Sequence, residues 1–131
     1  MSKPFHLAVP AGDLNIASNF YEKILGCKLG NKEEGKWIDI DFWGNELTLH
    51  KTHMKLPRER HDVDMGNVPI PHFGVHLDKK VFDKIKDNLK EHNVKYLDKP
   101  YTRFKDKKLQ QSTFFIEDPH GNVLELKTFE K

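Results

Sequence analysis

The sequence predicts an α+β fold of two βαβββ modules whose strands form a curved mixed sheet, a cup. Three observations carry that expectation. Short runs alternate apolar with polar residues, as strands do; two stretches carry apolar residues at helical spacing, each directly after a strand; and the same order of elements recurs in both halves of the chain.

Taken in order, Pro4 to Pro10 reads as a strand with His6 and Ala8 on one face and Phe5, Leu7 and Val9 on the other. Asp13 is placed to cap a helix whose Leu14, Ala17, Phe20, Tyr21, Ile24 and Leu25 recur at helical spacing, with Gly26 ending it. A short segment around Cys27 to Gly30 and a charged turn lead into the strand Trp37 to Trp43, in which Trp37, Asp39, Asp41 and Trp43 share a face. Gly44 and Asn45 form a hairpin turn, and Glu46 to Lys51 returns as a strand. The region from Thr52 to Pro71 breaks the pattern with prolines and charges and reads as a linker. Pro71 to Leu77 is again a strand, and Asp78 is placed to cap a helix with Val81, Phe82, Ile85 and Leu89 as its stripe. Val94 to Leu97 reads as a short strand, Asp98 to Gln110 as a basic loop, Gln111 to Glu117 as a strand, and EDPHGNVLELK as a turn feeding the last strand. The expected organisation is one domain over residues 1–131: a first module at 1–53, a linker at 54–70 and a second module at 71–131.

Bulk properties narrow the class. A chain of 131 residues holds one core that needs no staples, and its one cysteine, Cys27, excludes an internal disulfide. A formal net charge of +2 is too balanced to suggest nucleic acid as a partner. Without a signal segment or a membrane-length apolar run, the expectation is a cytoplasmic protein that handles a small molecule and touches no membrane. Eight histidines stand out, because histidine is the commonest metal ligand. His53, His61, His92 and His120 fall in loops or turns and are expected to be solvated.

The repeat aligns His6 with His72 and Gly44 with Gly121. Counted from the glycine, Glu125 corresponds to Thr48, and His50 lies two residues beyond Thr48 on the same face. If the two modules close a cup, His6, His72 and Glu125 converge on its inner surface as two imidazoles and a carboxylate. That is a facial set suited to Fe(II), and also to Mn(II), Ni(II), Co(II) or Zn(II), with positions left open for substrate and water. His76 shares the face of His72 but lies about 13 Å along it, at about 3.3 Å per residue, towards the rim. Trp37 and Trp43 would clamp a planar substrate if their face lines the cup, with Asp39, Gln111 and Thr113 raising the same question of face. The basic loop is a solvated run or a lid whose Tyr101 and Arg103 meet an anionic substrate.

Those residues carry a resemblance. HLAVPAGDLNIASNFYEKILG, PHFGVHL and FFIEDPHGNVLELK together resemble the vicinal oxygen chelate superfamily, which holds glyoxalase I, fosfomycin-resistance and bleomycin-resistance proteins and extradiol dioxygenases. The likeness places His6, His72 and Glu125 on that family's metal positions. Glyoxalase members take a fourth ligand, usually a carboxylate, from the last strand of the first module, where this chain has Thr48 and then His50. Three protein ligands imply an Fe(II) extradiol-type dioxygenase acting on a small vicinal-oxygen substrate, with His50 or His76 as acid or base. The alternatives are a glyoxalase-type isomerase or lyase with His50 as fourth ligand, and a drug-binding protein without catalysis. The resemblance also implies a homodimer.

Overall fold

A computed structural model describes residues 3–63 and 66–129 of the chain. The fold is α+β and divides into two compact units: residues up to Leu56 together with Asp118–Asn122, and Pro57–Glu117 together with the residues from Val123 on.

The first unit contains β1 (His6–Pro10), a helix, β2 (Lys28–Glu33), β3 (Trp37–Phe42) and β4 (Asn45–His50) in one sheet of order β1-β4-β3-β2. β1 runs parallel to β4, pairing Ala8 with Thr48, while β3 and β4 form an antiparallel hairpin. The helix begins as α1 (Leu14–Asn19), its first turn closed by the Asp13 carboxylate accepting from Ile16 N at 3.0 Å. It continues as a π-helical turn (Phe20–Ile24) that brings Phe20, Tyr21 and Ile24 into the core. One face of the sheet supplies Ile38, Ile40, Leu47 and Leu49 to that core, each buried. The alternate residues Trp37, Asp39, Thr48 and His50 occupy the other face.

The second unit repeats this plan. It contains β5 (Glu59–Val63), β6 (Gly66–Ile70), β7 (Phe73–His76), α2 (Lys79–Glu91), β8 (Asp98–Arg103), β9 (Gln111–Glu117) and β10 (Val123–Phe129). The sheet order is β7-β10-β9-β8, with β7 parallel to β10, so in both units the strand that precedes the helix runs parallel to the last strand. The buried stripe of α2 is Phe82, Ile85 and Leu89, and the Phe82 ring lies 5.0 Å from that of Phe114. Asp78 precedes α2 in extended conformation without capping it through its side chain.

Four expectations change. The stretch read as a linker contains the β5–β6 hairpin. Its Val68 packs on Phe115 and Val123 beside Leu97 and Tyr101, on the sheet face opposite the helix. Burial of Val68 supplies the apolar anchor that a Pro-rich charged segment did not advertise. The basic stretch is not a loop from its start: Asp98–Arg103 pairs with β9 as β8, and Val94 to Leu97 forms no strand. Pro100 is compatible with β8 because that strand is the sheet edge. Trp43 leaves the strand face, sitting in the turn with φ 48° and its ring 4.8 Å from that of Phe42. Among the described residues no helix is long and apolar enough to cross a membrane.

The turn Asp118–Asn122 is held by a buried carboxylate. Asp118 accepts from Tyr21 Oη at 2.8 Å, from Asn122 Nδ2 and N at 2.9 Å each, and from His120 N at 2.9 Å. Asn122 Nδ2 also donates to the Pro10 carbonyl at 2.7 Å, and a ring nitrogen of His120 bonds Met54 O at 2.7 Å. His120 is thus half-buried and structural, unlike the solvated turn residue expected. Gly12, with φ 67°, lies against the His120 ring where a Cβ would meet Nδ1 at 2.6 Å.

Two outcomes follow from this packing. Tyr21→Phe removes one of four donors to a buried carboxylate and should cost about 1.5–3 kcal/mol in urea unfolding, the usual range for a hydrogen bond to a charged group. A loss below about 0.5 kcal/mol would show that Asn122 and His120 hold Asp118 unaided. Burial, and after it the charge of Asp41, push the Cys27 thiol up to about 12. At pH 8 the native protein should therefore leave a disulfide reagent such as DTNB unconsumed while the urea-unfolded chain reacts fully.

Candidate metal and substrate site

The face of the second sheet that carries Glu125 is built by period two. On β10 it presents Val123, Glu125, Lys127 and Phe129, on β9 Phe115, Thr113 and Gln111, and on β7 Gly74 and His76, with His72 just before the strand. Leu124 and Leu126 point to the helix side and are fully buried, which locks the register and holds Glu125 on this face. Gly74 lies directly beside Glu125, and a Cβ there would stand 1.6 Å from the Glu125 carbonyl oxygen, so the close approach of β7 to β10 requires glycine.

Glu125 is a buried carboxylate, 6% exposed, with both oxygens engaged. Oε2 accepts from Thr113 Oγ1 at 2.7 Å and faces Lys127 Nζ at 3.6 Å; Oε1 lies 3.2 Å from His72 Nε2. Burial alone would raise its pKa, but the His72 and Thr113 hydrogen bonds and the Lys127 charge outweigh it and hold the carboxyl below its usual range. The hydrogen bond with Glu125 in turn raises the His72 pKa against the opposing effect of burial.

The tautomer of His72 is set by its other nitrogen. Nδ1 lies 2.6 Å from the Pro69 carbonyl, which can only accept, so Nδ1 carries a proton. In the neutral ring Nε2 then directs a lone pair at a carboxylate oxygen. Two facing acceptors call for a cation, either a proton or a metal ion. A ring N–H donated to a backbone carbonyl is also how metal-bound imidazoles are oriented. His72 and Glu125 would offer a divalent ion two protein donors at this corner. The β5–β6 hairpin thus supplies, through Pro69, the contact that orients His72.

His72, His76, Glu125 and Lys127 line one depression of about 280 Å³. His76 stacks on Phe129, with ring centroids 4.6 Å apart and planes 10° off parallel. Burial, and after it the Lys127 charge, lower its pKa and favour the neutral ring. Gln111 and Thr113 share this face; Thr113 is fully buried on Glu125, and Gln111 Oε1 is buried with no hydrogen-bond partner.

The first unit carries the remaining predicted residues. His6 is exposed, its Nδ1 2.8 Å from Glu46 Oε1. Thr48, buried at the position matching Glu125, donates to Asp39 Oδ1 at 2.7 Å. Exposed His50 pairs in register with half-buried Trp37. Among the described residues, no three His, Cys, Asp or Glu side chains are grouped so as to hold a metal ion. Tyr101, expected at a lid, packs on the Val68, Phe115 and Val123 cluster. Arg103, on β8, places its guanidinium 4.7 Å from the Phe104 ring centre. Of the remaining histidines, His61 lies in β5 with Nε2 3.0 Å from Glu59, and His92 bonds Asn88 O at the end of α2. Sequence reasoning missed Lys127, although the period that singled out Glu125 also reaches the next same-face position.

A family model for the glyoxalase/bleomycin resistance protein/dioxygenase superfamily matches residues 3–126. The chain is 35% identical to a glyoxalase/bleomycin resistance protein/dioxygenase from Alicyclobacillus acidocaldarius over 99% of this chain and 93% of that one, with a TM-score of 0.78. At the level of fold alone it is similar to the fosfomycin resistance protein FosX of Listeria monocytogenes (14% identity, 98% and 93% covered, TM-score 0.74). It is likewise similar to lactoylglutathione lyase of Agrobacterium tumefaciens (17%, 98% and 94%, TM-score 0.64). No curated protein matches the chain in sequence. With the family model spanning nearly every residue and a 35% identical relative covered along almost its whole length, the chain belongs to the glyoxalase/bleomycin resistance/dioxygenase superfamily, the vicinal oxygen chelate proteins.

Proposed function

We propose that this chain is a divalent-metal-dependent enzyme, an Fe(II) extradiol-type dioxygenase acting on a small vicinal-oxygen substrate, with His72, Glu125 and His6 as the protein ligands. The observation that carries the reading is the His72–Glu125 corner, where an imidazole nitrogen with its proton committed elsewhere faces a buried carboxylate 3.2 Å away. Thr113 and Pro69 hold the two groups from behind, as residues around a metal ligand do. His6 enters through the repeat, in which it occupies the position of His72.

A divalent ion bound there supplies Lewis acidity towards two adjacent substrate oxygens. The chain's own residues supply the rest. The depression beside Gly74 receives the substrate, and neutral His76 at its edge takes a proton from a substrate hydroxyl. The assembly is a homodimer, on the strength of the family likeness.

One observation favours a second reading, an isomerase or lyase of glyoxalase type. Although Thr48 stands where that activity calls for a carboxylate, the Asp39 carboxylate lies against its hydroxyl at 2.7 Å.

Anaerobic purification followed by elemental analysis tests the metal. About one divalent ion per chain is expected, with affinity lowered at least about 10–100-fold in His72→Ala and Glu125→Ala. Equally little metal in wild type and variants would remove both readings. Oxygen uptake with a panel of catechols then separates them, since the isomerase or lyase consumes none.

A further inference from the structure

We propose that the second unit carries a separate binding site, on the helix side of its sheet, for a small aromatic anion: a flat ring system bearing a phosphate or carboxylate. The site is a depression of about 460 Å³ between the last turns of α2 and the segment that follows, lined by Lys86, Asp87, Lys90, Val94, Lys95 and Tyr96. Tyr96 packs on Phe114, whose ring also meets Phe82 of α2, so the depression lies behind the sheet face that carries Glu125.

The end of α2 builds the depression. Asn93 takes the left-handed conformation, φ 58°, and Asn93 N and Val94 N donate to the Lys90 and Leu89 carbonyls at 3.2 and 2.9 Å. The chain thereby turns back and brings Val94, Lys95 and Tyr96 alongside Lys86 and Lys90. Those N–H groups also occupy carbonyls of the helix end that would otherwise repel an anion. Side chains are left to set the sign of the site, and three lysines outnumber one aspartate.

The lysines lack counter-ions. At the start of the same helix Lys79 sits 3.3 Å from Asp83. Among the described residues no carboxylate pairs with Lys86, Lys90 or Lys95. Lys86 is half-buried with its ammonium 5.5 Å from the centre of the Phe82 ring, a cation–π contact that keeps the charge at the depression. The floor beneath the charges is apolar, made of half-buried Val94 and Tyr96 and the methylene stems of the lysines. Burial, and after it the Asp87 charge, raise the Tyr96 pKa, so its hydroxyl remains a donor. A phosphate or carboxylate supplies the counter-ion to the lysines, and a ring laid on Tyr96 and Val94 covers the floor. An inorganic anion would leave the floor bare, and a neutral ring would leave the lysines unpaired. The volume falls within the roughly 300–1,000 Å³ of small-molecule sites.

Calorimetry on metal-free protein tests this with 1-naphthyl phosphate and 1-naphthoate as ligands, and inorganic phosphate and 1-naphthol as controls. At least one naphthyl anion should bind one per chain, about 10-fold or more tighter than either control, the effect of one charge-assisted hydrogen bond. The double variant Lys86→Met, Lys90→Met, which keeps the apolar stems, should lose that advantage, and the corresponding double Arg variant should keep it. Lys127→Met, which removes a cation from the opposite sheet face, should bind as wild type does. No saturable binding of either anion, an affinity matched by a control, or unchanged affinity in the double Met variant overturns the proposal. A loss in Lys127→Met overturns it too, because the anion then occupies the depression beside Glu125.

Discussion

Glu125 is a charge buried between two leucines, and the second unit is arranged around making that tolerable. Removing a carboxylate from water costs several kcal/mol unless hydrogen bonds and opposite charge replace the solvent. Thr113 on β9, His72 just before β7 and Lys127 on β10 itself provide that replacement. Leu124 and Leu126, packed in the core, prevent the strand from slipping to expose the carboxylate, because a one-residue shift would bury Glu125 among the side chains of α2. Gly74 completes the arrangement, since the backbones of β7 and β10 approach too closely for any side chain.

The β5–β6 hairpin ties a segment outside both repeats to the site. Val68 covers Phe115 and Val123, and the Pro69 carbonyl one residue later fixes which nitrogen of His72 carries its proton. The same few residues therefore close the apolar end of the sheet face and set the polarity of its histidine. A second contact ties the hairpin down: Arg58, just before β5, meets Glu117 at 2.7 Å. Such a pair, about one-third exposed on each side, contributes little by itself, so the burial of Val68 carries most of the attachment.

The two units share a topology and differ in chemistry at equivalent positions. Thr48 stands for Glu125 and His50 for Lys127, while Asp39 in the first unit corresponds to Phe115 in the second. One scaffold thus carries a carboxylate on β3 in one copy and on β10 in the other. In each copy a threonine hydroxyl donates to that carboxylate at 2.7 Å: Thr48 to Asp39, and Thr113 to Glu125.

The sequence by itself determined the two-fold repeat, the helices and most strands, because periods of two and 3.6 and the glycine-bearing turns are local properties of the chain. It also brought forward Glu125 and His72, since the repeat and the strand period place both on one face. It did not reveal the hairpin over residues 59–70. That pairing draws its stability from Val68 burial on a distant strand, and prolines and charges mask it locally. Nor could periodicity assign Tyr101 to a core cluster, put Trp43 in a turn, or show that Lys127 bends its charge back over Glu125. Each of those depends on what packs across from the residue, which only the tertiary structure decides. Glu125 shows the division most clearly: its face was legible from period two, and the partners that let a carboxylate stay buried there were not.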